Sequence, residues 1–273
     1  MSDDAKSPSR YKALIEHIFF DERHGAYQPG ATSILFTRED IERAAGDLGI
    51  VLPKNLGDVI YSIRYRTPMP DGIMATQSAD MEWVIEGAGR AKYRLMLVPI
   101  NRILPNPDLI TIKIPDATPE IITAYTLNDE QALLAKVRYN RLIDIFLGIS
   151  AYSLQNHLRT TVTGIGQIEI DEIYVGIDRN GAQYVVPVQA KGGTDQLSVV
   201  QARQDIACCA EKFPGLVCRS ISAQFMDDER IAIFELTVED DRVRIVDEKH
   251  YRLTPADSIG ADDLRAYQVR SGR

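Results

Sequence analysis

The chain has 273 residues, 45% hydrophobic and 26% charged, with a formal net charge of −8; this composition excludes a disordered or low-complexity chain. The negative balance excludes a protein that coats nucleic acid non-specifically, although a local basic surface can carry phosphate contacts on an acidic body. No apolar run approaches the roughly eighteen residues of a membrane span, the polar start MSDDAKSPSRYK lacks the apolar core of a secretory signal, and Cys208, Cys209 and Cys218 form no Cys-x-x-Cys pair. A cytoplasmic protein with no membrane partner is expected. The four histidines show no zinc-ligand spacing.

Ser9 caps a predicted helix from Arg10 to about Asp21, with Tyr11, Leu14, Ile15, Ile18 and Phe19 on one face. Thr37 opens a capping-box-like Thr-Arg-Glu-Asp, and the helix it starts stops at Gly49. A further helix runs through Leu56, Val59, Ile60 and Ile63 to Arg66, and Pro68 and Pro70 end it. Two short helices joined by a tight turn resemble a helix-turn-helix. The second helix is expected to expose Tyr61, Arg64, Tyr65 and Arg66, residue types that suit phosphate and base edges. Strand-like runs Met81–Glu86 and Tyr93–Pro99 follow, placed like a wing.

Residues 101–126 read as a connector with one strand, Leu109–Ile114. Asn128 then caps a long predicted helix to about Ile149, and a second helical piece covers Ser150–Leu158. His157 and Arg159 stand just before a hairpin and could meet a DNA backbone. Leu197–Lys212 reads as a helix, Leu216–Phe225, Ile231–Val238 and Arg242–Val246 as strands, and the tail after Pro255 as loose.

The hairpin, QIEIDEIYVGIDRNGAQYVVPVQAKGG over residues 167–193, carries the chemistry. Asn180-Gly181 between β-rich runs signals a two-residue turn. In that register Glu172 lies beside Gln189 and Lys191; a shift by one residue puts Asp171 and Glu169 there instead. Either way acids, an amide oxygen and one lysine converge. That is a hard-oxygen cation site beside a positive charge, suited to hydrolysing a phosphodiester. The second strand is apolar enough for burial on both faces, although Pro187 better suits an edge or a bulge.

An acidic strand followed by a strand ending in Gln189-Ala190-Lys191, then a helix, resembles the PD-(D/E)xK nucleases of the restriction-endonuclease type, closest to the Mrr-type branch. The resemblance covers about Asn128–Val238. It implies Asp171 as the metal-binding aspartate and Gln189 in place of the second acid, with Mg²⁺ as cofactor and Mn²⁺ as a substitute. Lys191 would orient the attacking water and stabilise developing charge. A literal Pro-Asp is absent, and Glu169 and Glu172 rival Asp171 as the ligand. The expected fold is α/β (α+β): an N-terminal winged-helix-like module at 1–120 and a restriction-endonuclease-like mixed sheet flanked by helices at 121–273. The expected function is a metal-dependent endonuclease of the type II restriction kind, cutting double-stranded DNA as a homodimer. A structure-specific or repair nuclease, and a DNA-binding regulator with an inactive nuclease-like half, are the alternatives.

Overall fold

The computed structural model describes residues 7–24, 27–65, 67–100, 103–125, 130–192, 199–226, 228–239 and 242–268. The chain divides into two units: Met1–Ile100 with Thr161–Gln167, and Asn101–Thr160 with Ile168–Arg273.

The first unit begins with α1 (Ser7–Phe20), in which Leu14, Ile15, Ile18 and Phe19 are all fully buried at helical spacing. A 3₁₀ turn at Glu22–His24 follows, then β1 (Ser33–Thr37) and α2 (Arg38–Leu48). Sequence reading missed β1, although buried Ile34 and Phe36 alternate with exposed Leu35. The capping box at the start of α2 is real. Asp40 N donates to Thr37 Oγ1 at 3.4 Å and Thr37 N to Asp40 Oδ2 at 2.7 Å, an arrangement that contributes about 1 kcal/mol. Gly49, at φ 63°, ends the helix.

Next come α3 (Gly57–Tyr65), α4 (Asp71–Met74), β2 (Met81–Gly87) and β3 (Lys92–Pro99). The three strands form an antiparallel sheet in the order β1-β3-β2. Trp83 on β2 meets Phe19 edge-on at 5.0 Å inside one apolar core. Gly87 is required at its position: a Cβ there would lie 1.9 Å from the Ile165 carbonyl oxygen in the 161–167 segment of the same unit.

The second unit contains β4 (Thr111–Pro115), α5 (Glu120–Tyr125), α6 (Glu130–Tyr139), α7 (Leu142–Leu147), β5 (Ser150–Val162) and β6 (Gly166–Ile177) apart from their joined ends at 161–167, β7 (Gln183–Lys191) and α8 (Val199–Lys212). These are followed by β8 (Val217–Cys218), β9 (Ser220–Phe225), β10 (Arg230–Glu239), β11 (Arg242–Thr254) and α9 (Ala261–Gln268). The mixed sheet runs β4-β11-β10-β9-β7-β6-β5, with β8 also on β7. β7 pairs antiparallel with β6 and parallel with β9, and α8 is the crossover between β7 and β9. Leu133, Val137, Leu142 and Ile143 of α6 and α7 pack with Val186, Val188 and Ala190 on one face. On the other face Cys209 of α8 packs with Ile173 and Val185, and Ala202 with Phe234. This is a mixed α/β unit with helices on both faces.

Several expectations are corrected. Ser150–Leu158 is strand, not helix: it belongs to the 13-residue β5, where half-buried Leu158 and Thr160 and buried Val162 alternate with exposed Arg159 and Thr161. The long helix breaks at Arg141, which takes a left-handed φ of 51° between α6 and α7. Residues 101–126 are more than a connector, because β4 pairs in parallel with β11, so the boundary expected near residue 120 falls inside the second unit. The last strand continues to Thr254 through a register shift between Glu235 and Leu236, and the tail forms α9, whose Tyr267 hydroxyl accepts from Lys113 N at 2.9 Å.

Candidate functional site

The turn between β6 and β7 decides which acids share a face. Gly181 N donates to the Asp178 carbonyl oxygen and Asp178 N to the Ala182 carbonyl oxygen, both at 3.1 Å, and Gly181 has φ 87°. This is a three-residue loop closed by a left-handed glycine, not the two-residue turn expected from Asn-Gly. Asp178 shapes it: Oδ1 accepts from Asn180 N at 2.8 Å and Ala182 N at 2.9 Å. The register therefore pairs Glu172 with Val188 and Ile173 with Pro187, one residue away from the ideal hairpin.

The shift separates the candidate acids. Glu172 turns to the α6–α7 face, fully buried, where its Oε1 accepts from Arg138 Nε at 2.8 Å and Ser153 Oγ at 2.5 Å. It does not join Gln189 and Lys191. Asp171 alternates to the α8 face, shared with Gln189 and Lys191.

The β6–β7 ladder ends at Glu172–Val188, while β7 continues against β9 as far as Lys191. Asp171 fills the gap: its Oδ2 accepts from Ala190 N at 2.9 Å. Pro187 is tolerated in this central strand because the parallel neighbours change there. β8 pairs through Val185, and β9 pairs from Val188. A residue lacking an N–H sits between the two ladders.

Beneath Asp171 lies an acid that sequence reading missed. Asp205, on α8, is 1% exposed and its Oδ2 accepts from Gln189 Nε2 at 3.0 Å. The same amide nitrogen donates to the Glu169 carbonyl oxygen at 3.2 Å. Two acceptors thus fix the amide, and its Oε1 is buried without a partner among the described residues. Burial pushes the Asp205 carboxyl well above the ordinary range, despite the Gln189 hydrogen bond. Burial also raises Asp171, opposed by the Ala190 N–H and by the charges of Lys191 and His157. The signal for Asp205 was present: it falls three residues after Ala202 and four before Cys209, on the buried stripe of α8.

Glu169 stays at the surface. Arg159 Nε lies 3.2 Å from its Oε2, and His157 Nδ1 lies 3.5 Å from its Oε1. His157 holds a left-handed φ of 49° within β5, a backbone conformation that costs on the order of 1 kcal/mol. These two side chains thus reach the rim of the cluster from the edge strand.

In the first unit, Tyr61 is half exposed on α3. Arg64 is not turned to solvent as expected: it is half-buried, with Nε and Nη2 enclosed and unpartnered among the described residues. Arg66 lies outside the described residues.

Compared with protein-family models, with curated proteins and with solved structures, the chain finds no match in any of the three. The site must therefore be read from its own geometry.

Proposed function

We propose that this protein is a Mg²⁺-dependent DNA endonuclease of the type II restriction kind, with Mn²⁺ able to substitute, working in the cytoplasm as a homodimer on double-stranded DNA. The observation that carries this reading is the convergence of Asp171, Asp205, Gln189 and Lys191 where β6 parts from β7. A hard cation fits the donors. Two carboxylates and a buried amide oxygen with no partner among the described residues form an all-oxygen set with little negative charge. Asp171, Asp205 and Gln189 would hold the ion, which supplies a more acidic water and neutralises charge on the phosphate.

Lys191 follows Gln189 by two residues and so presents its ammonium on the same face. It stabilises the extra negative charge as water oxygen bonds to phosphorus and the bond to the leaving 3′ oxygen breaks. Arg159 and His157, held at the rim through Glu169, suit contacts with flanking phosphates. The order helix, strand, three helices, strand, strand with an antiparallel sheet supports a winged-helix-like reader in the first unit. Two strands must be cut, which favours a two-fold dimer.

The test is incubation of the purified chain with plasmid and phage DNA in Mg²⁺ or Mn²⁺, followed by end sequencing. Uniform ends at a short sequence are expected. Cuts confined to flaps or junctions would instead identify a structure-specific nuclease. Binding with no cleavage in either metal would overturn the enzymatic reading in favour of a regulator.

A further inference from the structure

Two of the three cysteines meet on the α8 face of the second unit, both as free thiols. Cys218 pairs in parallel with Val185 where β8 joins β7, so the two side chains point to the same face. Cys209 of α8 is fully enclosed and packs with that same Val185. Half-buried Cys218 packs into the same cluster. The Cys209 S–H donates a hydrogen bond to the Cys218 sulfur. The chain between them is folded back on itself: Phe213 N donates to the Cys209 carbonyl oxygen at 2.9 Å, and Leu216 N to the Phe213 carbonyl oxygen at 3.0 Å. Joining the sulfurs therefore needs no long loop to close. Cys208 precedes Cys209 on α8, and adjacent residues of a helix do not share a face.

The pair is chemically asymmetric. The hydrogen bond from Cys209 holds the Cys218 thiol below its ordinary range, opposed by burial. The same bond, together with burial, holds Cys209 above its own. The thiolate, not the thiol, is the nucleophile. Cys218 is also the less enclosed of the two, so it is the attacking sulfur and Cys209 the resolving one.

We propose that Cys218 and Cys209 are a peroxide-reactive pair that closes to a reversible disulfide. The Cys218 thiolate attacks hydrogen peroxide. An S–O bond forms, the O–O bond breaks, and the leaving hydroxide takes up a proton to become water. The Cys209 sulfur then attacks the Cys218 sulfenic acid. An S–S bond forms, the S–O bond breaks, and the Cys209 proton leaves with the hydroxyl as a second water. Two electrons pass from the sulfurs to the peroxide. Asp205 stands about one turn before Cys209, so the bridge ties the helix that carries it to β8. The thiol chemistry does not rest on the nuclease reading.

Treating the reduced full chain with a small molar excess of hydrogen peroxide, then alkylating it under denaturing conditions for mass analysis, tests the pair. Loss of two of the three thiols is expected, with a peptide joining Cys209 to Cys218 and recovery of all three in dithiothreitol. Cys208→Ser should still form the bridge. Cys209→Ser should stop at a Cys218 sulfenic acid that dimedone captures, and Cys218→Ser should keep its remaining thiols. Circular dichroism establishes that each variant is folded, and the peptide map of the parent chain needs no variant. Three thiols persisting after glutathione in the same tube has been oxidised would overturn the proposal. So would a bridge through Cys208, a bridge between two chains, or loss of both remaining thiols by folded Cys218→Ser.

Discussion

On one face of the β6–β7 hairpin Glu172 is fully enclosed and meets Arg138 at 2.8 Å. On the other face Asp205 is as deeply enclosed, but it meets the neutral amide of Gln189 at 3.0 Å. Burial is equal and the electrostatic solution differs. A guanidinium and a hydroxyl balance the first carboxylate, as structural acids require. The second is pushed well above the ordinary carboxylate range by burial, with the neighbouring Asp171 adding to the rise and the Gln189 amide opposing it, so its ionised form costs stability. Folds retain such unbalanced acids where a cation or a reaction uses them. The contrast teaches that burial alone does not mark a functional acid; the partner does.

The sharpest way to break this contrast is Lys191→Ala. Loss of cleavage by at least about a hundredfold is expected, equivalent to about 2.7 kcal/mol of barrier. Folding and most DNA binding should survive. Activity within about tenfold of the parent removes Lys191 from the chemistry and leaves the face a packing feature.

A second measurement compares the acids directly. Asp171→Asn should lose roughly ten- to a hundredfold in Mg²⁺-dependent cleavage, because it removes one of two anionic donors. Glu169→Gln and Glu172→Gln should lose less. Titrating Mg²⁺ and Mn²⁺ for each variant checks the ranking. A dead Glu172→Gln beside an active Asp171→Asn would mean that the chemistry sits on the other face.

The third reads stability against pH in the presence of a chelator. Asp205 has a folded-state pKa raised above its unfolded value, so the native state binds more protons in the intervening window. Its contribution to stability is therefore highest below the ordinary carboxylate range and falls as pH rises toward the raised value. Each unit of elevation is worth about 1.4 kcal/mol. Asp205→Asn should match the parent near pH 3, exceed it at pH 8 and flatten the slope between, as followed by urea unfolding. A variant less stable than the parent at pH 8 would show that the carboxylate is balanced after all.

The smallest effect concerns the turn that assigns the faces. Gly181 has φ 87°, so Gly181→Ala should cost about 1 kcal/mol in thermal or urea unfolding. No loss would argue that the three-residue loop is not what holds the register.

Much of this arrangement was legible. Gln189-Ala190-Lys191 ending an apolar strand, the acids on the preceding strand, and α8 as the crossover all followed from periodicity and turn chemistry. The register did not. Asn180-Gly181 fits a two-residue turn equally well, and only the Asp178 carboxylate, binding two loop N–H groups, selects the longer loop. β5 was misread because its polar Gln155, Asn156 and His157 interrupt the alternation of Tyr152, Leu154 and Leu158. Asp205 was overlooked because an acid on an amphipathic helix reads as solvated until the stripe is phased from Ala202 to Cys209. Arg64 looked exposed for the converse reason: its place on α3 gave no sign that the guanidinium would be enclosed.

The assignment of residues 161–167 to the first unit bears on how this chain can be cut and built. The polypeptide leaves that unit at residue 100 and returns to it sixty residues later, at the tip joining β5 and β6. A gene fragment ending at residue 100 would lack the backbone that approaches Gly87 and would expose that glycine's surroundings to water. The first unit thus cannot be completed during synthesis until β5 has been made. A protease nick between the units near residue 100 would leave the tip attached through the second unit's own strands.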